Sequence, residues 1–182
     1  LETLLSCAER MKNNHDIHFL IIGEGDLKAD YQNRCAELPN ITFAPGVPKA
    51  MVQSVLSQCD LLYFSVLPSK VWEFGLSLNK IIDYMLAGKP ILASYTGYPS
   101  MITEAECGSF VPSGEVEALQ NEIMRYAQMS KATREEIGAR GKAWILINRS
   151  YPTLARKYLE IMSKTVKGPT DLAGDIHPRE FR

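Results

Sequence analysis

The sequence predicts an α/β fold, built as a doubly wound parallel sheet and followed by C-terminal helices. Short apolar runs alternate with helical segments along the chain, and residues 60–65 are apolar on both faces of the expected strand. This pattern is typical of parallel strands that helices cover on both sides. In such sheets ligands bind beyond the carboxyl ends of the strands, where the winding reverses. The segments after the strands are therefore the first candidates for a site.

Each element follows from local signals in chain order. Apolar, β-branched runs that end at glycine or proline predict strands, and apolar residues at helical spacing predict helices. The expected strands are residues 18–22, 41–43, 60–65, 90–94 and 108–111. The expected helices are residues 1–11, 27–38, 51–58, 79–87, 116–129, 131–147 and 152–164. We expect residues 1–164 to form one domain and residues 165–182, with prolines, glycines and many charges, to form a C-terminal tail.

Composition narrows the function classes. The 182 residues carry 20 basic and 21 acidic side chains, for a net charge of −1, which gives no reason to expect nucleic acid as a partner. The cysteines lack metal-ligand spacing and are interpreted as reduced, mostly buried thiols: Cys7, Cys35, Cys59 and Cys107. No apolar run approaches the roughly 20 residues of a membrane span, and no signal peptide is found. We therefore expect a cytoplasmic protein with no metal.

The expected helix 79–87 is the most informative segment. Four apolar residues share one helical face and are expected to pack on the sheet: Leu78, Ile81, Ile82 and Met85. Three polar residues share another face: Asn79, Lys80 and Asp83. Ser77 is suited to cap the helix start, Gly88 suits a left-handed stop, and Pro90 prevents continuation.

The polar face of this helix has the chemistry of a nucleotide-diphosphate site. A helix start offers unpaired N–H groups to a phosphate, Lys80 adds a positive charge, and Asp83 can accept hydrogen bonds from a ribose diol. A solvated helix face with a surface Lys80–Asp83 pair is the alternative. On these residues alone the solvated face is favoured.

A resemblance to a known family favours the nucleotide-diphosphate site over the solvated face. Over about residues 1–162, and most specifically over Leu76-Ser77-Leu78-Asn79-Lys80-Ile81-Ile82-Asp83-Tyr84-Met85-Leu86-Ala87-Gly88-Lys89-Pro90, the chain resembles the C-terminal donor-binding domain of family 4 (group 1) retaining glycosyltransferases. The similar subgroup assembles bacterial surface polysaccharides. The resemblance implies the second, Rossmann-like half of a GT-B fold. It also implies that the acceptor-binding domain and the family's phosphate-binding Arg and Lys precede Leu1.

The resemblance also assigns roles around the helix. Asp83 matches the later acidic residue of a Glu-x7-Glu motif that holds the ribose, and Lys80 would steady the leaving phosphates. Gly75 stands where the family has the earlier glutamate, and Glu73, ten positions before Asp83, is the nearest carboxylate. Lys80 and Glu73 are therefore the expected catalytic residues. The family pattern adds these donor-binding residues in the same segment: Gly75, Leu76, Ser77, Asn79, Lys80 and Asp83.

Two further loops are candidates for donor binding. Gly23 and Gly25 lie between an expected strand and an expected helix, where the resemblance puts the donor pyrophosphate; a tight turn that glycine merely permits is the alternative. Val47, in the loop 46–48, would lie against the nucleobase, with a plain β-turn as the alternative.

The resemblance implies a hexosyl- or N-acetylhexosaminyl-type transfer from a nucleotide-sugar, expected to be UDP-linked, with retention and without a metal or other cofactor. The acceptor would be a glycan or a lipid-linked sugar, and the fragment alone is expected to be inactive. The alternatives are a GT-B sugar epimerase or phosphorylase, and a non-catalytic nucleotide-binding module. The basic side of the last helix allows peripheral contact with the inner face of the cell membrane, although a solvated face is the preferred interpretation.

Overall fold

The computed structural model describes residues 1–76 and 78–166, in two compact units, Leu1–Ile145 and Leu146–Arg182. The strands are β1 (Phe19–Ile22), β2 (Ile41–Ala44), β3 (Leu62–Ser65), β4 (Ile91–Ser94) and β5 (Gly108–Val111). The helices are α1 (Glu2–Arg10), α2 (Lys28–Arg34), α3 (Lys49–Leu56), α4 (Asn79–Ala87), α5 (Met101–Glu104), α6 (Val116–Gln128), α7 (Lys131–Asn148) and α8 (Tyr151–Val166), with a 3₁₀ helix at Lys70–Phe74.

The strands of the first unit are all parallel to their partners but form two separate sheets. One sheet pairs β1 with β2, so that Phe19 lies opposite Ile41. The other has the order β3-β4-β5, with Leu62 opposite Ile91 and Ile91 opposite Gly108. The expected α/β class with parallel strands and flanking helices is confirmed. The break between β1 and β3 was not expected.

Two apolar clusters cover the two faces of the strands. Alternation along β4 shows the arrangement, because Leu92 belongs to one cluster while Ile91 and Ala93 belong to the other. The Leu92 cluster contains residues of α1 and α6, including Cys7 and Leu119. The other cluster contains buried residues of α4, α5 and α7. Both faces of the three-stranded sheet are therefore packed, as a doubly wound fold requires.

Three of the four cysteines, Cys7, Cys35 and Cys107, are buried, and all four are free thiols. Burial raises the pKa of Cys7 and of Cys107 to about 11. The expectation that most of the cysteines are buried is confirmed.

Element positions agree with the sequence expectations for all five strands and for seven helices, with end shifts of a few residues. The helix α4 and the strand β5 have the expected bounds. The helix expected over residues 27–38 is shorter, since α2 ends at Arg34 and buries none of its residues. The 3₁₀ helix Lys70–Phe74 and the short helix α5 were not expected. Ser100 caps α5 through a hydrogen bond to the Ile102 amide.

The packed face of α4 corrects one expectation. Ile81 and Met85 are fully buried, and Leu78 packs against the same cluster, but the side chain of Ile82 is 39 % exposed. The buried face is rotated toward Tyr84, whose hydroxyl donates to the Tyr63 carbonyl at 3.1 Å. That rotation places Ile82 at the edge of the packed face.

The second unit, taken by itself, is described as far as Val166. At the start of α8 the hydroxyl of the preceding residue, Ser150, accepts from the Thr153 amide at 3.4 Å, and the exposed side chains of the helix include Tyr151 and Tyr158. The expected boundary at residue 164 stays a prediction, and residues 167–182 of the expected tail lie outside the described residues. Among the helices that the structure describes, none combines the length and hydropathy of a membrane span.

Candidate functional site

The loops after β1 and β2 meet at the carboxyl ends of these strands. The Glu24 carboxylate, in the loop 23–25, accepts a hydrogen bond from the Gly46 amide at 3.2 Å. Gly23 also donates its amide to the Ala44 carbonyl at 3.3 Å. The two loops that the sequence analysis treated as separate candidates therefore form one continuous surface.

Lys28, in the first turn of α2, contacts the loop after β1 and the last residue of β2. Its ammonium donates to the Gly23 carbonyl at 2.9 Å, to the Glu24 carboxylate at 3.0 Å and to the Ala44 carbonyl at 3.1 Å. The lysine bond and the Gly46 amide lower the pKa of Glu24. Sequence reasoning missed Lys28. Its signal was a lysine at the start of a helix that follows a glycine turn.

The two glycines of the loop 23–25 differ in conformation. Gly23 has φ +147°, which L side chains rarely adopt, so glycine is required there by the backbone. Gly25 has no such φ, and a Cβ built on it would meet no heavy atom within 4 Å. Because the space beside Gly25 is open, a ligand could approach the backbone closely there. The amide-rich turn at the end of a strand suits an anionic ligand.

The helix α3, which follows the loop 46–48, contacts Asp83. Lys49, the first residue of α3, places its ammonium 3.9 Å from the Asp83 carboxylate. Gln53, one turn later, donates to the Asp83 backbone carbonyl at 3.0 Å. Val47 is half-buried beside this junction. The structure thus connects the loop expected at a nucleobase with the carboxylate expected at a ribose.

Lys80 and Asn79 lie in the first turn of α4, and both are exposed. The helix starts after Leu78, which has no side chain able to cap it, and Ser77 lies outside the described residues. Gly88 ends α4 in the left-handed conformation, as expected. The Lys80–Asp83 pair of the alternative interpretation is absent among the described ion pairs, where Asp83 faces Lys49 instead.

Three further candidate residues lie in or directly after the 3₁₀ helix: Glu73, Gly75 and Leu76. Glu73 is exposed on the 3₁₀ helix. Gly75 ends that helix with φ +124°, and its amide donates to the Trp72 carbonyl at 3.4 Å. The side chain of Leu76 is buried in the core cluster that contains Ile81. The expected role of this segment in orienting a sugar stays a prediction.

A cleft of about 750 Å³ opens between β1 and β3. Gly23, Gly46 and Val47 line its end at the carboxyl side of the strands. Lys80, Asp83 and Glu73 are not among the residues that line it. The contacts above join the loop 23–25 to the loop 46–48 and join the start of α3 to Asp83, which lies outside the cleft.

This site has the composition of an anion- and diol-binding surface. It combines backbone amides, the amino end of α4 and two carboxylates, exposed Glu24 and half-buried Asp83, with three lysines: Lys28, Lys49 and Lys80. Among the described residues, no group of three His, Cys, Asp or Glu side chains is arranged to hold a metal ion.

A doubly wound fold with such a surface at the strand ends is typical of α/β proteins that bind ligands beyond the carboxyl ends of their strands. The family model described as Glycosyl transferases group 1 matches residues 1–129. The chain belongs to this family. No curated protein sequence matches the chain.

Solved structures share the fold at low sequence identity. A glycosyltransferase from Rickettsia africae ESF-5 aligns with a TM-score of 0.68 and 18 % identity over 92 % of this chain and 45 % of its own. HepE from Anabaena, in complex with UDP, aligns with a TM-score of 0.68 and 17 % identity over 90 % of this chain and 44 % of its own. Sucrose-phosphate synthase from Thermosynechococcus elongatus aligns with a TM-score of 0.65 and 17 % identity over 91 % of this chain and 42 % of its own. The chain thus spans less than half the length of each of these proteins.

Proposed function

We propose that this chain is the nucleotide-sugar-binding half of a retaining family 4 glycosyltransferase. One observation carries the proposal: the loops 23–25 and 46–48 and the Asp83 face of α4 adjoin through the Glu24–Gly46 and Lys49–Asp83 contacts. The family match supports a transferase, and HepE has been crystallised with both UDP and UDP-glucose. The proposed donor is a UDP-sugar.

The proposed roles are those that the family resemblance implies for these residues. The amides of the loop 23–25 approach the diphosphate, Val47 contacts the base, and Asp83 accepts hydrogen bonds from the ribose. Lys80, exposed at the amino end of α4, neutralises charge on the leaving diphosphate. Glu73 and the backbone of Gly75, Leu76 and Ser77 orient the sugar, with Asn79 beside them. No protein group acts as a nucleophile in this scheme, and no metal is needed to balance the diphosphate charge.

The finer parts of the proposal concern the whole protein. The reaction is a hexosyl or N-acetylhexosaminyl transfer to a glycan or lipid-linked sugar in bacterial polysaccharide synthesis. The acceptor binds to an N-terminal domain, and the protein works in the cytoplasm, with peripheral contact to the inner face of the membrane.

Nucleotide titration of the 182-residue chain tests the donor site. We expect UDP to raise the Tm, since a ligand at about a hundred times its Kd adds about 2.7 kcal/mol to the free energy of unfolding. GDP, ADP and dTDP should raise it less. A Tm that none of the four nucleotides changes would contradict the proposal.

Matched variants locate the binding. Asp83→Asn and Lys80→Ala should each weaken UDP binding, while Asp30→Asn on α2 and Lys12→Ala after α1 should leave it unchanged. All four side chains are at least partly exposed, so none of the changes removes core packing. If the two control variants weaken UDP binding as much as the two site variants, UDP binds elsewhere.

A further inference from the structure

The backbone of Asp83, in the middle of α4, is fixed by contacts on several sides. Ile81, two residues earlier, is buried in a core cluster, and the hydroxyl of the next residue, Tyr84, donates to the Tyr63 carbonyl at 3.1 Å. Gln53 of α3 donates to the Asp83 carbonyl at 3.0 Å. The side chain of Asp83 is 29 % exposed, so its carboxylate is held at a defined place and is still open to a ligand.

Among the described residues, Lys49 is the cation within ion-pair distance of this carboxylate. Its ammonium lies 3.9 Å from Oδ2 of Asp83. Hydrogen bonds between an ammonium and a carboxylate are about 2.7–2.9 Å long, so the two groups attract each other without a direct hydrogen bond. The Lys49 side chain is 88 % exposed, and its four-carbon stem is flexible, so the ammonium can adjust to a ligand.

The gap between the two charged groups fits one hydroxyl group. An oxygen atom at about 2.8 Å from both groups fits between them, because two such hydrogen bonds placed end to end are longer than 3.9 Å. A hydroxyl has an O–H donor and lone pairs that accept. It can therefore donate to the Asp83 carboxylate and accept from the Lys49 ammonium at the same time. An ether oxygen lacks the donor, and a C–H group lacks both functions.

The position of Lys49 in the chain indicates which ribose hydroxyl meets it. Lys49 begins α3 and follows Val47 by two residues. Val47 is the residue that we place against the nucleobase, and Asp83 is the residue that we place at the ribose. In a nucleotide the base is attached to C1′, so the 2′-hydroxyl is the ribose hydroxyl nearest the base. The 2′-hydroxyl is therefore on the Lys49 side, and the 3′-hydroxyl faces Asp83 alone.

We infer that Lys49 and Asp83 together form a clamp for the 2′-hydroxyl of the donor nucleotide, in which Lys49 donates to this hydroxyl and Asp83 accepts from it. This inference rests on the proposed donor site and adds a residue and a selectivity to it. The ligand class is a ribonucleoside diphosphate, because a 2′-deoxyribonucleotide leaves the gap unfilled. On binding, the ion pair is exchanged for two hydrogen bonds to the hydroxyl, so both charged groups keep a partner.

A lysine beside an anionic ligand can also act only through its positive charge. Such a lysine attracts every nucleoside diphosphate to the same extent, whichever hydroxyls its sugar carries. A contact with the 2′-hydroxyl is different, because removal of the lysine then weakens only those ligands that have this hydroxyl. A comparison of ribonucleotides with deoxyribonucleotides therefore separates the two roles of Lys49.

Calorimetric titration of the 182-residue chain with UDP, 2′-deoxy-UDP and 3′-deoxy-UDP tests the clamp. The parent chain should bind UDP about tenfold more tightly than either analogue, since each analogue lacks a hydroxyl that bonds a charged group. In Lys49→Met, which removes the ammonium but keeps an unbranched side chain, the preference over 2′-deoxy-UDP should fall below about threefold. The preference over 3′-deoxy-UDP should stay near its parent value. In Asp83→Asn both preferences should fall.

Two further variants are controls. Lys12→Met removes an exposed lysine after α1 and should retain both preferences of the parent chain. Lys49→Arg keeps N–H donors at the clamp and should retain most of the preference for the 2′-hydroxyl. Thermal unfolding without ligand checks that each variant is folded, which the exposure of both lysines leads us to expect.

Several outcomes would overturn the inference. Equal loss of affinity for all three ligands in Lys49→Met would show that Lys49 acts only through its charge. Equal binding of UDP and 2′-deoxy-UDP by the parent chain would show that no group holds the 2′-hydroxyl. UDP binding that Asp83→Asn weakens and Lys49→Met leaves unchanged would overturn the clamp but keep the proposed donor site. UDP binding that Asp83→Asn does not change, or no UDP binding at all, would contradict the donor site and the clamp together.

Discussion

The Lys49 ammonium lies 3.9 Å from the Asp83 carboxylate, and this pair connects the loop after β2 to the polar face of α4. Lys49 is 88 % exposed and Asp83 is 29 % exposed, so water screens the pair and its contribution to stability is small. Its significance is positional, because it holds a carboxylate beside the loop that contains Val47. A carboxylate with so exposed a partner can exchange that partner for the hydroxyls of a ligand.

Gly25→Ala should reduce UDP binding without changing stability. The backbone at Gly25 is compatible with alanine, and the added Cβ meets no protein atom within 4 Å. A methyl group there would instead meet a diphosphate that approaches the loop amides. Calorimetric titration with UDP and thermal unfolding measure the two effects. Unchanged UDP affinity in Gly25→Ala would show that the diphosphate does not approach this turn.

Ile81→Ala should destabilise the protein far more than Ile82→Ala. Ile81 is fully buried in the cluster beneath α4, so truncation leaves a cavity and costs about 2–5 kcal/mol. Ile82 is 39 % exposed and its truncation should cost less than about 1 kcal/mol. Urea unfolding of both variants measures the difference. Similar midpoints would contradict the rotated face of α4.

Gly138→Ala should destabilise the protein although alanine favours helices. A Cβ at Gly138 would lie 2.0 Å from the Gly88 carbonyl oxygen, which is backbone and cannot rotate away. Overpacking of this kind costs about 1–3 kcal/mol. The exposed neighbour provides the control, since Ala139→Gly should cost only the helix propensity of about 1 kcal/mol. A Gly138→Ala variant more stable than the parent would show that α7 and α4 are not in backbone contact.

The Glu24 carboxyl should titrate below its ordinary pKa of 4.5, because Lys28 and the Gly46 amide stabilise the charged form. A lowered pKa means that the charged form stabilises the folded state above pH 4.5 and that this stabilisation is lost as the pH falls through the lowered value. Carbon-detected NMR titration follows the carboxyl directly. Lys28→Met should move the pKa back up, whereas Lys12→Met should not. An unchanged Glu24 pKa in Lys28→Met would contradict the three-way lysine contact.

The sequence was most informative where local signals were strong. Apolar runs located every strand, three of them with a glycine or proline at the end, and the left-handed Gly88 located the end of α4. The 3₁₀ helix Lys70–Phe74 and α5 are too short to show a period, although Ser100 followed by Thr103 was a readable capping signal. The exposure of Ile82 depends on where Tyr84 packs, which only the tertiary structure determines.

The candidate site was predictable in its parts but not in its arrangement. Glycine turns after strands and a polar helical face are local features of the sequence. The contacts that join them are between residues far apart in the chain, such as Gly46 with Glu24 and Lys49 with Asp83. Lys28 was missed for the same reason, since its acceptors include Ala44, which is 16 residues away.

The division of the strands into two ladders has a consequence for engineering. Among the described strands no ladder joins β1 to β3, and side chains of α1 and α6 pack with Phe19 of β1 and Leu92 of β4 in one apolar cluster. The loops 23–25 and 46–48 follow the strands of one ladder, whereas α4 leads into β4 of the other. We therefore expect conservative swaps in this cluster, such as Ile123→Val, to change the distance between the two ladders and so to affect the binding site that we propose.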